Sequence, residues 1–311
     1  MAYDFPEEVR NIVFSGEAGQ GLNFVADILI KAFKKNGYHV HGSQEFMSRV
    51  RGGNNSLTVR IAEFPVKANL SRIDIFIPFN ANASERFLER ITPETLVLTD
   101  DTFIDKLLQE KNVNEIKIPL QKMATEAGGI LFINSVLIGV LAGVFSLNLE
   151  NIIDDVLKKF ADKDESVREK NRKALKNGYN TGKELLAGKL SGLPLKVTES
   201  IKKDFLINGS RAVGIGALLG GCNFMSAYPM SPSTDVFTFL AERAGQLGLV
   251  VEQAEDEIAA INMAIGAWYA GARAMVNTAG GGFALMTEGL SLAGAIESPL
   301  VIHLAQRPAP A

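Results

Sequence analysis

Cysteine is almost absent: Cys222 is the one thiol in 311 residues. A lone thiol closes no internal disulfide. By itself it holds neither an iron–sulfur cluster nor a thiolate zinc site. Any electron-transfer cluster that works with this chain therefore belongs to another chain. Aromatic residues are few, at 8%, which leaves little for base-stacking platforms. No charge of one sign dominates. The formal net charge of −3 gives no field that would gather nucleic acid or anionic lipid. A long apolar run is missing too. The best stretch, Gly129 to Phe145, is interrupted by Asn134, Ser135 and two further glycines and has no basic flank. It reads as a buried helix and not as a membrane span. The N-terminus, MAYDFPEEVR, is acidic and polar, unlike a signal peptide, and the chain is expected in the cytoplasm.

What is present is the balance of ordinary globular domains, with 47% hydrophobic and 22% charged residues. The length allows two domains. Val9 to Phe14 is a short branched apolar run, as a buried parallel strand requires. It enters Ser15-Gly16-Glu17-Ala18-Gly19-Gln20-Gly21, after which Leu22, Val25, Ile28, Leu29, Ala32 and Phe33 recur at helical spacing. Leu57 to Ile61 alternates and predicts a half-exposed strand. Ile73–Ile77 and Thr95–Leu98 predict more buried ones. Leu149 to Phe160 is an amphipathic helix.

Charges dominate from Lys158 to Lys203, with glycine breaks at Gly178 and Gly192. Asp162 to Leu186 predicts a solvated helix, and Ala187 to Glu199 a linker. The expected division is therefore a first domain over 1–182, a linker over 183–203 and a second domain over 204–311. Strand and helix alternate again after Phe205: a helix over Ser210–Leu219, another over Asp256–Tyr269, and strands at Arg273–Asn277 and Pro299–Ala305. The fold class is α/β, with two open, mostly parallel sheets carrying helices on both faces.

Gly16, Gly19 and Gly21 follow a strand and open a helix, where free N–H groups and the positive dipole end meet. The order is not that of the dinucleotide fingerprint, and Glu17 would repel a pyrophosphate. Arg49 and Arg51 beside Gly52 and Gly53 could hold an anion or simply form a solvated loop. In the second half, Tyr228-Pro229-Met230-Ser231-Pro232-Ser233-Thr234 joins two stiffening prolines to three hydroxyls. It serves equally as a ligand-facing loop or as a helix entry capped by Ser231 or Ser233. Glu255, Asp256 and Glu257 open a helix, as the dipole favours. Glu257, followed by Ile258, Ala259 and Ala260, could instead point into an apolar cleft and share a proton with a nitrogen base. Thr278 to Phe283 reads as a glycine turn that allows close approach. Arg307 lies beyond a strand's carboxyl end, where open α/β sheets bind ligands.

G-E-A-G-Q-G, then about thirty residues later R-V-R-G-G-N-N-S, then the strand L-T-V-R-I, resembles the gamma module of the 2-oxoacid:ferredoxin (acceptor) oxidoreductases. From Phe205 onward, Y-P-M-S-P-S-T, E-D-E-I-A-A, T-A-G-G-G-F-A-L-M-T-E-G and Q-R-P-A-P-A resemble the pyrimidine-binding domain of the same family. A gamma module fused in front of that domain is the layout of a 2-oxoglutarate-type alpha subunit. The resemblance implies thiamine diphosphate-dependent oxidative decarboxylation of a 2-oxoacid, with coenzyme A as acyl acceptor and ferredoxin as electron acceptor. It makes Glu257 the partner of the aminopyrimidine ring, Ser231 a substrate contact and Arg307 the partner of the substrate carboxylate. The resemblance also implies that Tyr228, Pro229, Gly281 and Phe283 border the cofactor. The Gly16–Gly21 loop, with Arg49, Arg51, Gly52 and Gly53, becomes an anion, coenzyme A or interface loop.

The family pattern is not followed everywhere. Ser231 replaces a threonine, Gly281 a proline, Ala309 a glycine and Arg211 an acid. No Gly-Asp-Gly segment for magnesium and diphosphate is found. Magnesium and iron–sulfur clusters are therefore expected in a beta subunit partner. The chain is expected to be catalytically incomplete alone, able to self-associate as a homodimer, and C-terminally truncated relative to the family. The competing readings are a non-catalytic assembly or regulatory subunit and a Rossmann dehydrogenase.

Overall fold

The computed structural model describes residues 8–45, 53–102, 106–188, 190 and 192–306. The chain divides into two compact units, Met1–Phe205 and Leu206–Ala311.

Unit 1 runs β1 (Val9–Glu17), α1 (Leu22–Lys35), β2 (His39–Glu45), β3 (Asn54–Ala62), β4 (Ile75–Pro78) and β5 (Leu96–Asp100). It continues with α2 (Lys106–Glu110), β6 (Asn114–Ile118), α3 (Leu120–Ala127), α4 (Ile133–Val144), α5 (Leu149–Lys159) and α6 (Glu165–Gly188). Among the described residues these strands form one sheet in the order β2-β3-β1-β4-β5-β6. β3 is antiparallel to both of its neighbours, while β1, β4, β5 and β6 run parallel. The pleat of β1 sends Ile12 and Phe14 into the main core against α1 and α4, and Val13 into a smaller core with Phe76 and Phe87. β3 is not half-exposed as its alternation predicts. It is an interior strand, and Leu57, Thr58, Val59 and Ile61 are all buried.

The apolar stretch after Gly129 does form a buried helix: Ser135 to Val144 of α4 are all inside. No single helix among the described residues is long and apolar enough to cross a membrane. α4 packs on α6, and the contact surface is glycine. A Cβ at Gly139 or Gly143 would fall on the carbonyl oxygens of Leu175 or Tyr179, and one at Gly178 or Gly182 on those of Val136 or Val140. Gly178 therefore does not break the charged helix. It lets two backbones touch, with spacings of four residues on both helices aligning the ridges. α6 is solvated on one side only, since Asn171, Ala174, Leu175, Gly178 and Gly182 are buried.

The expected linker over 183–203 is largely built into unit 1. Its opening residues finish α6. Leu190, Leu193 and Leu195 are buried in the main core, and the Thr198 amide donates to the Gly37 carbonyl at 2.8 Å. Three leucines within a polar stretch are enough to anchor it. The exposed connection lies later, at Phe205, Leu206 and Ile207, with Phe205 99% exposed.

Unit 2 runs α7 (Gly209–Leu219), β7 (Phe224–Ala227), α8 (Thr234–Ala241), α9 (Ala244–Leu247), β8 (Val250–Gln253) and α10 (Glu257–Tyr269). It ends with β9 (Ala274–Thr278), α11 (Gly280–Leu285), α12 (Thr287–Ala295) and β10 (Val301–Leu304). Its four described strands are all parallel, in the order β10-β9-β7-β8. Met225 and Met275 pack with Val236 and Leu240 of α8 on one face. Val276 packs with Ala260 and Ile261 of α10 and Ala293 of α12 on the other. The glycine run expected as a turn is helical from Gly280: the Phe283 amide donates to the Ala279 carbonyl at 2.9 Å.

Two outcomes are expected. Brief chymotrypsin digestion of the full chain should cut first after Phe205. A first cut within 187–199 would mean that the leucine anchors do not hold. Gly182→Val should lower unfolding stability by about 3 kcal/mol or more in urea titration, because rigid backbone must move. A change below about 1 kcal/mol would refute the tight crossing.

Candidate functional site at the carboxyl edge of the parallel sheet

Because the strands of unit 2 are parallel, the segments after β7, β8 and β9 emerge at one edge of the sheet. That is where ligands bind in open α/β folds. Tyr228 to Thr234 follows β7, Ala254 to Glu257 follows β8, and Ala279 to Phe283 follows β9. The Ala254 amide donates to the Ala227 carbonyl, and the Ala305 amide to the Thr278 carbonyl, both at 3.0 Å.

The three acids before α10 divide their work. Asp256 is the cap: its Oδ1 accepts the Ala259 N–H at 2.7 Å. Glu255 is exposed. Glu257, the first residue of the helix, turns inward and is 4% exposed. Its Oε1 is buried with no hydrogen-bond partner. A carboxyl oxygen is seldom left so, because an unpaired buried polar atom costs about 1–3 kcal/mol.

Its seat is cut by a glycine. A Cβ at Gly282 would stand 2.7 Å from both Cγ and Oε1 of Glu257 and would also fall on the Thr278 hydroxyl. Gly280 is likewise close to the Gln306 side chain, whereas Gly281 is exposed and borders open space. Phe283 is half-buried.

In the loop after β7, Tyr228 and Ser231 are exposed and Pro229 is half-buried. Ser233 is buried. Its Oγ donates to the Met230 carbonyl at 2.6 Å instead of capping α8. The helix-entry reading therefore holds for the position of Ser233 but not for its side chain. Arg211 lies exposed in the first turn of α7, which Asn208 caps. Arg307 and Ala309 lie outside the described residues. The buried polar residues Asn277 and Thr278 at the end of β9 had not been singled out as site residues. Their signal is hydroxyl and amide side chains inside an apolar strand.

In unit 1, Gly21 has φ of 84° and leads into α1, whose first turn carries no acid. Gln20 fills the loop: its Oε1 accepts from the Glu17 amide at 2.7 Å and from Asn80 Nδ2 at 3.1 Å. Asn134 Nδ2 donates to the Gln20 carbonyl at 3.0 Å. Gly16 is closed in by Gln20 and Phe79, Gly19 has open space around it, and Gly53 has φ of 85°. Arg49, Arg51 and Gly52 lie outside the described residues.

A cavity of about 580 Å³ in unit 2, lined by Val213, Cys222, Trp268, Met275, Val301 and His303 among others, sits at the opposite, amino ends of the strands. Burial pushes the Cys222 thiol up and the His303 imidazole down, so both stay neutral near pH 7. Among the described residues, no three His, Cys, Asp or Glu side chains gather to hold a metal ion.

Comparison with known proteins places both units. Residues 11–181 match the family described as pyruvate ferredoxin/flavodoxin oxidoreductase. Residues 215–311 match the one described as pyruvate flavodoxin/ferredoxin oxidoreductase, thiamine diphosphate-binding. A 2-oxoacid:ferredoxin oxidoreductase subunit alpha from a Sulfolobus species is 29% identical over 93% of this chain and 53% of its own length. The 2-oxoglutarate synthase subunit KorA of Archaeoglobus fulgidus is 47% identical over 34% of this chain and 30% of its own length. The solved 2-oxoglutarate:ferredoxin oxidoreductase from Magnetococcus marinus, with 2-oxoglutarate, coenzyme A and succinyl-CoA bound, superposes with a TM-score of 0.85 at 30% identity. That match covers 98% of this chain and 54% of the other. The chain spans about half the length of the first of these relatives and of the solved structure.

Gly282→Ala should displace the Glu257 carboxylate while leaving the fold intact. A crystal structure of the variant should show Glu257 in a different rotamer. An unmoved side chain would show that the glycine is not what shapes the seat.

Proposed function

Since the chain belongs to the pyruvate ferredoxin/flavodoxin oxidoreductase family, we propose that it is the alpha-type subunit of a 2-oxoacid:ferredoxin oxidoreductase. The reaction is the oxidative decarboxylation of a 2-oxoacid of the 2-oxoglutarate type, with coenzyme A and ferredoxin as the other reactants. The single observation that carries this reading is the buried Glu257 carboxyl with its Oε1 unpaired at the carboxyl edge of the sheet.

The residues present fit the pyrimidine end of thiamine diphosphate. An orphaned carboxyl oxygen suits a ring nitrogen, and the exposed Gly281 backbone permits flat approach. Bound there, thiamine diphosphate supplies the carbanion chemistry of the decarboxylation. This chain's own part is narrower. Glu257 sets Oε1 against the base it faces and exchanges a proton with it, which is general acid–base work. Tyr228, Pro229 and Phe283 wall the cleft and exclude water. Ser231 presents an exposed hydroxyl to the substrate, and Arg307 pairs with its carboxylate.

The diphosphate, its magnesium and the iron–sulfur clusters fall to a beta-type partner subunit. Support for such a partner comes from exposed apolar side chains on adjoining helices: Ile258 and Met263 of α10, Leu285 of α11, and Leu290 and Leu292 of α12. In unit 1 the Gly16–Gly21 loop lies where β1 and β4 run parallel and the chain departs to opposite sides. That is the crevice in which such sheets take ligands, and coenzyme A is its proposed occupant. The Rossmann alternative is disfavoured by topology, because the antiparallel β3 occupies the place beside β1 that a parallel strand holds in that fold.

Glu257→Gln, assayed in the enzyme reconstituted with its partner, should lower kcat by about 10²–10⁴-fold. Turnover equal to wild type would remove Glu257 from the reaction.

A further inference from the structure

β9 ends in two consecutive buried polar residues, Asn277 and Thr278, both fully inside. Successive strand residues face opposite sides of a sheet. Met275 shares a face with Asn277 and packs with Val236 and Leu240 of α8. Val276 shares a face with Thr278 and packs with α10. Thr278 therefore belongs to the Glu257 side. Asn277 belongs to the side where the Tyr228–Thr234 loop enters α8.

There the Asn277 Nδ2 donates to the Ser233 carbonyl at 2.6 Å, a buried tie across 44 positions of sequence. Ser233 in turn closes a turn on Met230, with its N–H and Oγ donating to the Met230 carbonyl at 2.8 and 2.6 Å. The turn leaves Ser231 outermost. Asn277 thus grips the loop at its foot, two residues beyond the hydroxyl that the loop presents.

This grip carries a penalty. The Asn277 Oδ1 is buried with no hydrogen-bond partner, and burying a polar atom unpaired is destabilising. An apolar side chain would suit the strand interior better. An amide kept there against stability points to the loop and not to the core.

We propose that Asn277 is a positioning residue: it fixes the Tyr228–Thr234 loop so that Ser231 is held at the substrate. This rests on the reading of Ser231 as a substrate contact given above. Asn277 itself does not touch substrate.

Two measurements test it. In the full chain, Asn277→Leu keeps the branching of the side chain and removes the donor, and Asn277→Ala is the second variant should the bulkier leucine fail to pack. Amide hydrogen exchange should speed up about tenfold over residues 228–236, as expected for one lost hydrogen bond, with β7 and α10 unchanged. Unchanged loop exchange, or an equal rise everywhere, overturns the proposal. In the enzyme reconstituted with its partner, the variant should raise KM for 2-oxoglutarate about five- to tenfold with kcat within twofold. That effect should vanish in a Ser231→Ala background. Fully additive effects overturn the route through Ser231. If Ser231→Ala alone leaves KM unaltered, the substrate-contact reading fails, while hydrogen exchange still decides whether Asn277 holds the loop.

Discussion

A side chain at position 282 and a carboxyl at position 257 cannot occupy the same space, and that exclusion shapes the whole carboxyl edge of unit 2. The glycine lets β9 pass into α11 within van der Waals reach of α10. Glu257 can then lie across the gap and not out in solvent, with one oxygen left unpaired. Asp256 already caps the helix by accepting the Ala259 N–H, so Glu257 is free of capping duty. Three acids in a row resemble simple helix-start chemistry, but only one of them performs it.

Unit 1 shows the same dependence on missing side chains. Gly139 and Gly143 of α4 meet Gly178 and Gly182 of α6, and the two backbones come together where any Cβ would strike a carbonyl oxygen. This crossing fixes α4 under the sheet. Through Asn134, which follows directly from its first residue, it also braces the carbonyl of Gln20 in the first glycine loop. Hydrogen bonds of Gln20, Asn80 and Asn134 tie this loop down, so the binding proposed there would cost less ordering entropy.

Much of the architecture was legible in the sequence because the interior strands are apolar runs: Val9–Phe14, Ile73–Ile77 and Thr95–Leu98 all fall within observed strands or at their starts. The strands at the two ends of the sheet were not. β2 reads His-Val-His-Gly-Ser-Gln-Glu and β6 reads Asn-Glu-Ile-Lys-Ile. An edge strand has one unpaired side and much solvent, so it carries no apolar signature, and its charges are what keep it from pairing with other chains. Gly178 misleads for a related reason. Glycine lowers helix propensity by about 1 kcal/mol, but packing against α4 overrides that preference, and no local pattern reports the partner helix. The charged stretch before Phe205 conceals its anchors in the same way, since three separated leucines hardly change its composition.

At the site, legibility follows chain continuity. Glu257, Ser231 and the glycine run stand in recognisable local motifs. Asn277 does not, and although Thr278 opens the glycine motif, the inward place of both residues shows only from strand alternation seen against both neighbouring helices. A parallel sheet with helices on each face delivers its loops to one edge from two sides, α8 on one and α10 on the other. Residues that hold such loops in register must come from a strand lying between them and must point both ways. β9 lies between β7 and β10, and its last two residues face opposite sides, one tied to the foot of the Ser231 loop and the other beside Glu257. The proposed grip of Asn277 on its loop and the place of Thr278 beside Glu257 both follow from the register of β9, and neither residue could be moved to the other face without shifting the whole strand.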